Sequence, residues 1–265
     1  MRHFAHELRL YGHRGASAHL PENTLPAFER AIADGADALE LDVHLTSDRH
    51  AVISHDPDGR RLAGEPDHIS LVTLERVRRW RLKAGGDASS RYHVPTLGEV
   101  LEAFPAVPMS IDLKPDDPRA VPELLEVLAR HGAEEQVILA SFSTRVVRRI
   151  RGLGYRGWTA LTRPEVVALR FLPVPLARRL IAGQAAQVPV RSGPVRLDGR
   201  PFVARCRRLG LRVDYWVVND PLQARALLDA GATGVMTDDP AAIAPVFRER
   251  QMLPEAALDS PHLNG

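Results

Sequence analysis

Hydrophobic residues along this chain gather in short runs separated by helical stripes. Runs at 8–12, 38–43, 109–113, 136–140, 157–161, 185–189, 212–217 and 234–237 have the length and character of strands. Between most of them, apolar positions recur at helical spacing over 25–34, 119–131, 144–153, 199–209, 221–230 and 240–249. Alternation of this kind predicts parallel βαβ units, and eight strands in about 250 residues predict an α/β fold, a (β/α)8 TIM barrel. A single domain over 1–250 is expected, followed by a disordered tail at 251–265. Asp-Pro pairs at 117–118, 220–221 and 239–240 read as helix starts, so the acids there, Asp238 and Asp239 included, read as turn and cap residues. Two stretches break the rhythm. Residues 57–108 carry Gly/Asp-rich loops, helices predicted at 71–81 and 97–104, and no barrel strand, which suggests an insertion over the catalytic face. Residues 164–182 are apolar with Arg170, Arg178 and Arg179, the pattern of a barrel helix broken at Pro173 and Pro175 or of a surface flap meeting lipid-like substrates.

The stretch ALELDVHLTSDRHAVISHD, residues 38–56, predicts a β-hairpin after strand 2, with a turn at 46–49 and a return at 50–54. Side chains alternate across a strand, so Leu39, Leu41 and Val43 share one face while Glu40 and Asp42 share the other. Two carboxylates on one face repel by about 3 kcal/mol at about 5 Å in an effective dielectric near 20. A divalent cation is the expected relief. The return strand brings His55 and Asp56 back beside the pair, while His44 lies farther along that face as a supporting or solvent-exposed residue.

Composition narrows the function classes. The charge of +2 from 35 basic and 33 acidic side chains gives no nucleic-acid footprint, although the basic residues are mostly arginine. One cysteine, Cys206, excludes an intrachain disulfide and falls at helical spacing with Phe202, Val203 and Leu209, as a core residue would. The N-terminal residues lack a secretory apolar stretch, and no uncharged run approaches the ~18 residues of a membrane span. A soluble, cytoplasmic protein of open oligomeric state is the expectation. Dinucleotide and nucleoside-triphosphate motifs are missing from the sequence.

The predicted C-terminal strand ends carry the chemistry. They supply His13 and Arg14 from strand 1, Glu40, Asp42 and His55 from strand 2 and its hairpin, Asp112 and Lys114 from strand 3, and Trp216 and Asn219 from strand 7. Carboxylate oxygens in that number suit Mg2+ or Ca2+. Two imidazoles suit acid-base work, and Arg14 with Lys114 suits a phosphate. Trp216 reads as a pocket wall or a packed barrel-end ring. Asn23 and Thr24 read as caps for the helix beginning near Leu25.

The segments HRGASAHLPENTLPAF (13–28), ELDVHLTSD (40–48), VISHD (52–56), IDLK (111–114), WVVND (216–220) and GVMTDDP (234–240) resemble, in that order, the glycerophosphodiester phosphodiesterase family. The resemblance implies a (β/α)8 barrel, His13 and His55 as catalytic histidines, Glu40 and Asp42 as metal ligands, and Arg14 and Lys114 near the phosphate. Asp112 stands where the family usually has Glu, so its ligand role follows less directly. The implied reaction is metal-dependent hydrolysis of glycerophosphodiesters, such as glycerophosphocholine, to glycerol 3-phosphate and an alcohol. The nucleophile, water or the glycerol 2-hydroxyl, and the separate tasks of the histidines stay open. Alternatives are a lysophospholipase D acting on lysophospholipids, with transient membrane-surface contact, and a non-catalytic phosphoester-binding barrel.

Overall fold

Eight parallel strands ring the core in the computed structural model, which describes Phe4, residues 7–84 and residues 87–252, with the backbone alone at 84 and 87–91. They are β1 (Arg9–His13), β2 (Ala38–Leu45), β3 (Met109–Leu113), β4 (Val137–Ala140), β5 (Trp158–Thr159), β6 (Ala185–Pro189), β7 (Arg212–Trp216) and β8 (Gly234–Thr237). Their order is β5-β4-β3-β2-β1-β8-β7-β6, and a parallel bridge between Ala160 and Ala185 brings the two ends together. This is the expected TIM barrel. The run at 157–161 forms only a two-residue strand.

The alternation in β2 sets the barrel's two layers. Leu39, Leu41 and Val43 are fully buried in the main core, each worth about 2 kcal/mol of apolar burial, whereas Glu40 and Asp42 line the cavity at the barrel mouth. Helix α1 (Leu25–Ala33) packs Ala27, Phe28 and Ala31 inward, and its first turn is capped by Thr24, whose hydroxyl accepts from the Ala27 amide at 3.3 Å. It lies so close to the end of β1 that a Cβ on Gly12 would meet Ala31 Cβ at 2.6 Å. A Cβ on Gly15, which sits at φ +85°, would meet the Ala27 backbone at 2.6 Å. The chain therefore leaves β1 in one tight path, with Arg14 itself left-handed at φ +57°.

The hairpin forms, its return strand Ala51–Ile53 pairing antiparallel with β2 through Val43–Ile53 and Leu45–Ala51. That pairing brings His55 and Asp56 to the mouth of the barrel. The following insertion packs a small core of Ile69, Val77, Trp80, Leu82 and Val94 against Val52 of the return strand. Its expected helix at 71–81 is shorter, a 3-10 turn at Ile69–Leu71 and a helix at Leu74–Arg78. The next helix, α2 (Leu97–Ala103), opens on a Thr96–Glu99 capping box and buries Leu97, Val100 and Leu101 in the main core, so it belongs to the barrel's outer ring and the insertion ends before it.

The ring continues with α3 (Val121–Arg130) and α4 (Thr144–Gly152). The stretch 164–182 becomes two helices, α5 (Arg163–Phe171) and α6 (Val174–Leu180), parted at Leu172 and Pro173. Helices α7 (Arg200–Arg208), α8 (Pro221–Asp229) and α9 (Pro240–Met252) complete the ring. Cys206 is buried and free, as expected. Gln251 and Met252 of the expected tail end α9, and 253–265 lie outside the described residues. Among the described residues no helix is long and apolar enough to cross a membrane.

Candidate active site

The register of neighbouring strands builds the site. His13 stands beside Glu40 across β1 and β2, and Asp42 stands beside Asp112 across β2 and β3. Two acids placed side by side on one face need a cation between them, and Lys114 supplies it, with Nζ 2.8 Å from both Asp42 Oδ1 and Asp112 Oδ2. Arg14 Nε lies 3.1 Å from Asp42 Oδ2, which also accepts from Asn23 Nδ2 at 2.9 Å. Burial alone would raise Asp42, but Lys114 and Arg14 outweigh it, and the group titrates below the usual carboxylate range. Glu40 has no such cover. Burial first, and the charge of Asp42 second, push its carboxyl up to about 8. Asp112 is raised chiefly by burial despite Lys114, and its Oδ1 is buried without a hydrogen-bond partner.

The two histidines are held in parallel ways. His13 Nδ1 lies 2.7 Å from Asp238 Oδ1, and His55 Nδ1 lies 2.8 Å from Asp56 Oδ1. Each aspartate is fixed in turn, Asp238 by Ser17 at 3.0 Å and Asn219 at 2.8 Å, Asp56 by Arg61 at 2.6 Å. His13 Nε2 faces Glu40 Oε2 at 3.8 Å. Burial would lower His13, yet Glu40 and Asp238 more than compensate and hold it above the ordinary histidine value. Asp238 itself resists burial through His13 and Asn219 and falls to about 2.

One cavity of about 700 Å³ is lined by His13, Arg14, Glu40, Asp42, His55, Asp112, Lys114 and Trp216, so all eight candidate residues meet at the mouth. Phe142 packs edge-on against Trp216, with ring centres 6.0 Å apart, and both line the cavity. The cap reading of Asp238 is corrected: Asp239 accepts from the Ala242 amide and caps α9, whereas Asp238 turns into the site toward His13. Asn23 likewise leaves capping to Thr24 and reaches Asp42 from a left-handed backbone, φ +58°. His44 is buried, with Nε2–H donating to the His55 carbonyl at 3.3 Å. Burial lowers it to about 4, so it stays neutral and supports the His55 loop. Glu22, which no local pattern flagged, bridges Arg14 at 3.1 Å and Arg61 at 2.7 Å and so ties the insertion to the mouth.

Among the described residues, no three acidic, histidine or cysteine side chains converge as a ready ion cage, because Lys114 stands between Asp42 and Asp112. The donors nevertheless suit a hard cation in their chemistry. All are carboxylate oxygens, one of them buried and unpartnered, beside a glutamate whose charge nothing nearby fully offsets.

The family model for the glycerophosphoryl diester phosphodiesterase family matches residues 13–242 of the chain. The chain belongs to the glycerophosphodiester phosphodiesterase family. It is thus an enzyme of phosphoric diester hydrolysis, and the match runs from His13 beyond Asp238. A glycerophosphodiester phosphodiesterase of Caldanaerobacter subterraneus is 29% identical over 254 residues, covering 89% of this chain and 96% of that protein. Lysophospholipase D GDPD1 of Homo sapiens is 27% identical, covering 86% of this chain and 82% of its own length. The barrel superposes on a phosphodiesterase of Oleispira antarctica, solved with the product sn-glycerol-3-phosphate, with a TM-score of 0.73 at 22% identity over 91% of this chain and 96% of that one. It superposes on a family phosphodiesterase of Agrobacterium tumefaciens with a TM-score of 0.77 at 20% identity, over 91% and 99% of the two chains.

Proposed function

We propose that this family member hydrolyses glycerophosphodiesters such as glycerophosphocholine to glycerol 3-phosphate and an alcohol, in the cytoplasm, by proton transfer between His13 and His55. The observation that carries the reading is the pair of imidazoles in one cavity, each with Nδ1 committed to an aspartate and Nε2 left for chemistry. Arg14 and Lys114 bind the anionic phosphate and stabilise the charge that develops on its oxygens. His55 accepts the proton of the attacking hydroxyl, that of water or of the glycerol 2-position. His13, whose hold on a proton Glu40 and Asp238 strengthen, gives that proton to the departing alkoxide as its bond to phosphorus breaks. Diester and one water are consumed, and glycerol 3-phosphate and the free alcohol are released.

Glu40, Asp42 and Asp112 are the residues that would hold a divalent ion, Mg2+ or Ca2+. When bound, such an ion withdraws charge from the phosphate. The test is alcohol release from glycerophosphocholine with each cation in turn and with a chelator. Loss of most activity on chelation is expected. Full activity under chelation would remove the ion from the reading, and no release under any condition would remove the substrate class.

A second substrate reading, lysophospholipids, is favoured by the apolar part of the cavity wall, to which Leu161, Val166, Val167, Val188 and Val217 contribute. Turnover of lysophosphatidylcholine against glycerophosphocholine separates the two.

A further inference from the structure

Helices α5 and α6 expose an unusual amount of apolar surface for a barrel's outer ring. Val167 is 56% exposed and Phe171 60%, and Leu176 and Leu180 are open to solvent on α6. Arg163, Val167, Arg170 and Phe171 fall at i, i+4, i+7 and i+8 and therefore share one stripe of α5. Leu176, Arg179 and Leu180 do the same on α6 at i, i+3 and i+4. The two helices are consecutive and packed together.

Charge says what covers this face. Between Glu165 and Asp198 the chain has no acidic residue, while Arg170, Arg178, Arg179, Arg191 and Arg196 all lie there. Glu165 is itself buried and paired with Arg151, so it offers nothing to the surface. Among the described residues, none of Arg163, Arg170, Arg178 and Arg179 pairs with a carboxylate. Arg170 lies over the Phe171 ring at 5.1 Å and Arg163 over the Phe142 ring at 5.4 Å, so guanidinium and apolar groups are interleaved. An apolar surface rimmed by arginines that meet no carboxylate complements a layer of anionic headgroups over acyl chains. The stripe is also continuous with the site, because Arg163, Val166, Val167 and Phe142 line the catalytic cavity.

We propose that the α5–α6 face docks the enzyme on an anionic lipid bilayer, with the mouth of the cavity opening at the edge of that contact. Phe171, Leu176 and Leu180 enter the boundary between headgroups and chains, and Arg170 and Arg179 meet lipid phosphates. A docked enzyme can receive an amphiphilic diester without its chain crossing water.

The test is co-sedimentation of the full chain with phosphatidylcholine vesicles, plain or with about one-third phosphatidylglycerol, at low and high salt. Binding to the mixed vesicles at low salt is expected, weaker by about tenfold on plain phosphatidylcholine and at high salt. Phe171→Ser with Leu180→Ser should lower binding to the mixed vesicles by at least about tenfold, with the unfolding temperature lowered by only a few degrees, since both side chains are more than half exposed. Arg170→Gln with Arg179→Gln should remove the preference for phosphatidylglycerol. Failure of the wild type to sediment overturns the proposal, as does binding that neither pair of substitutions alters. So does size exclusion showing a dimer that Phe171→Ser with Leu180→Ser converts to monomer, because the face would then cover a second copy. Binding is read without substrate, so the result is independent of which diester the site cleaves.

Discussion

The two ends of the barrel handle buried charge in opposite ways. At the N-terminal end Arg212 and Asp214 of β7 are almost completely buried and meet at 2.8 Å. Arg212 also donates to the carbonyls of Phe4, Glu7 and Thr233, while Asp214 accepts from Tyr11 and Thr233. One positive and one negative group cancel, and their hydrogen-bonding capacity is filled from within the fold. At the mouth, Glu40, Asp42 and Asp112 face Arg14 and Lys114, with His13 alongside. One acid oxygen is unpartnered, and burial beside Asp42 pushes one glutamate's carboxyl up to about 8. Folding completes the first cluster. The second keeps an unpartnered acid oxygen and turns its cations and acids toward an open cavity, which sets it apart from a buried charge cluster that locks strands together.

The sharpest way to break that contrast is Asp214→Ala. It strands the Arg212 guanidinium in the barrel floor and should cost about 3–5 kcal/mol, a fall of roughly 10 °C in melting temperature, with turnover per folded molecule retained. Thermal unfolding and an active-site titration read both quantities. The mouth should respond the other way. His13→Ala or His55→Ala should reduce kcat by about a thousandfold, about 4 kcal/mol, while the melting temperature moves by only a few degrees. A variant at either histidine that keeps near wild-type kcat breaks the assignment.

Much of the mouth is legible from strand periodicity. Glu40 with Asp42, and Asp112 with Lys114, must share faces because the strand repeat is two, and these four do converge. What periodicity cannot reveal is a partner that only the closed barrel brings near. Asp238 reads as half of an Asp-Asp-Pro helix start, and its neighbour Asp239 is one. Its pairing with His13, 225 residues away in sequence, exists only because β8 lies beside β1. Asn23 and Glu22 escape for a related reason, since a left-handed turn redirects side chains that a helix-cap pattern assigns to the backbone. Helix α2 is assigned to the insertion by sequence because no strand precedes it nearby. Its membership of the outer ring follows from three side chains buried against the main core.

Glu40→Gln sharpens the comparison by finishing the mouth without a ligand. Glu40 titrates at about 8 in the folded chain against 4.5 ordinarily. The stability this proton contributes is therefore full below pH 4.5 and lost as pH rises through about 8. By pH 9 the metal-free wild type carries an ionised, buried Glu40 beside Asp42, and the glutamine variant does not. The variant should be inactive yet melt several degrees higher than wild type at pH 9, a gain on the order of a few kcal/mol, with the gap closing toward pH 6. Parallel melting curves across that range would mean the glutamate is charged throughout.

The smallest effect belongs to Asp238→Asn. Residue 238 keeps its bonds to Ser17 and His13 through one oxygen and gives up that from Asn219, so the fold is little disturbed while the Asp238 charge beside His13 is removed. That charge, together with Glu40, keeps His13 protonated above its ordinary range. Its loss lowers the histidine's affinity for the proton, and the alkaline limb of kcat/KM should move to lower pH by about one unit. On the alkaline side of the limb this is a fall of about tenfold, about 1.4 kcal/mol, with the melting temperature nearly unchanged. The limb's position is what decides the matter, because a merely structural aspartate would lower the whole profile without moving it. An unshifted limb assigns the transferred proton to a group other than His13.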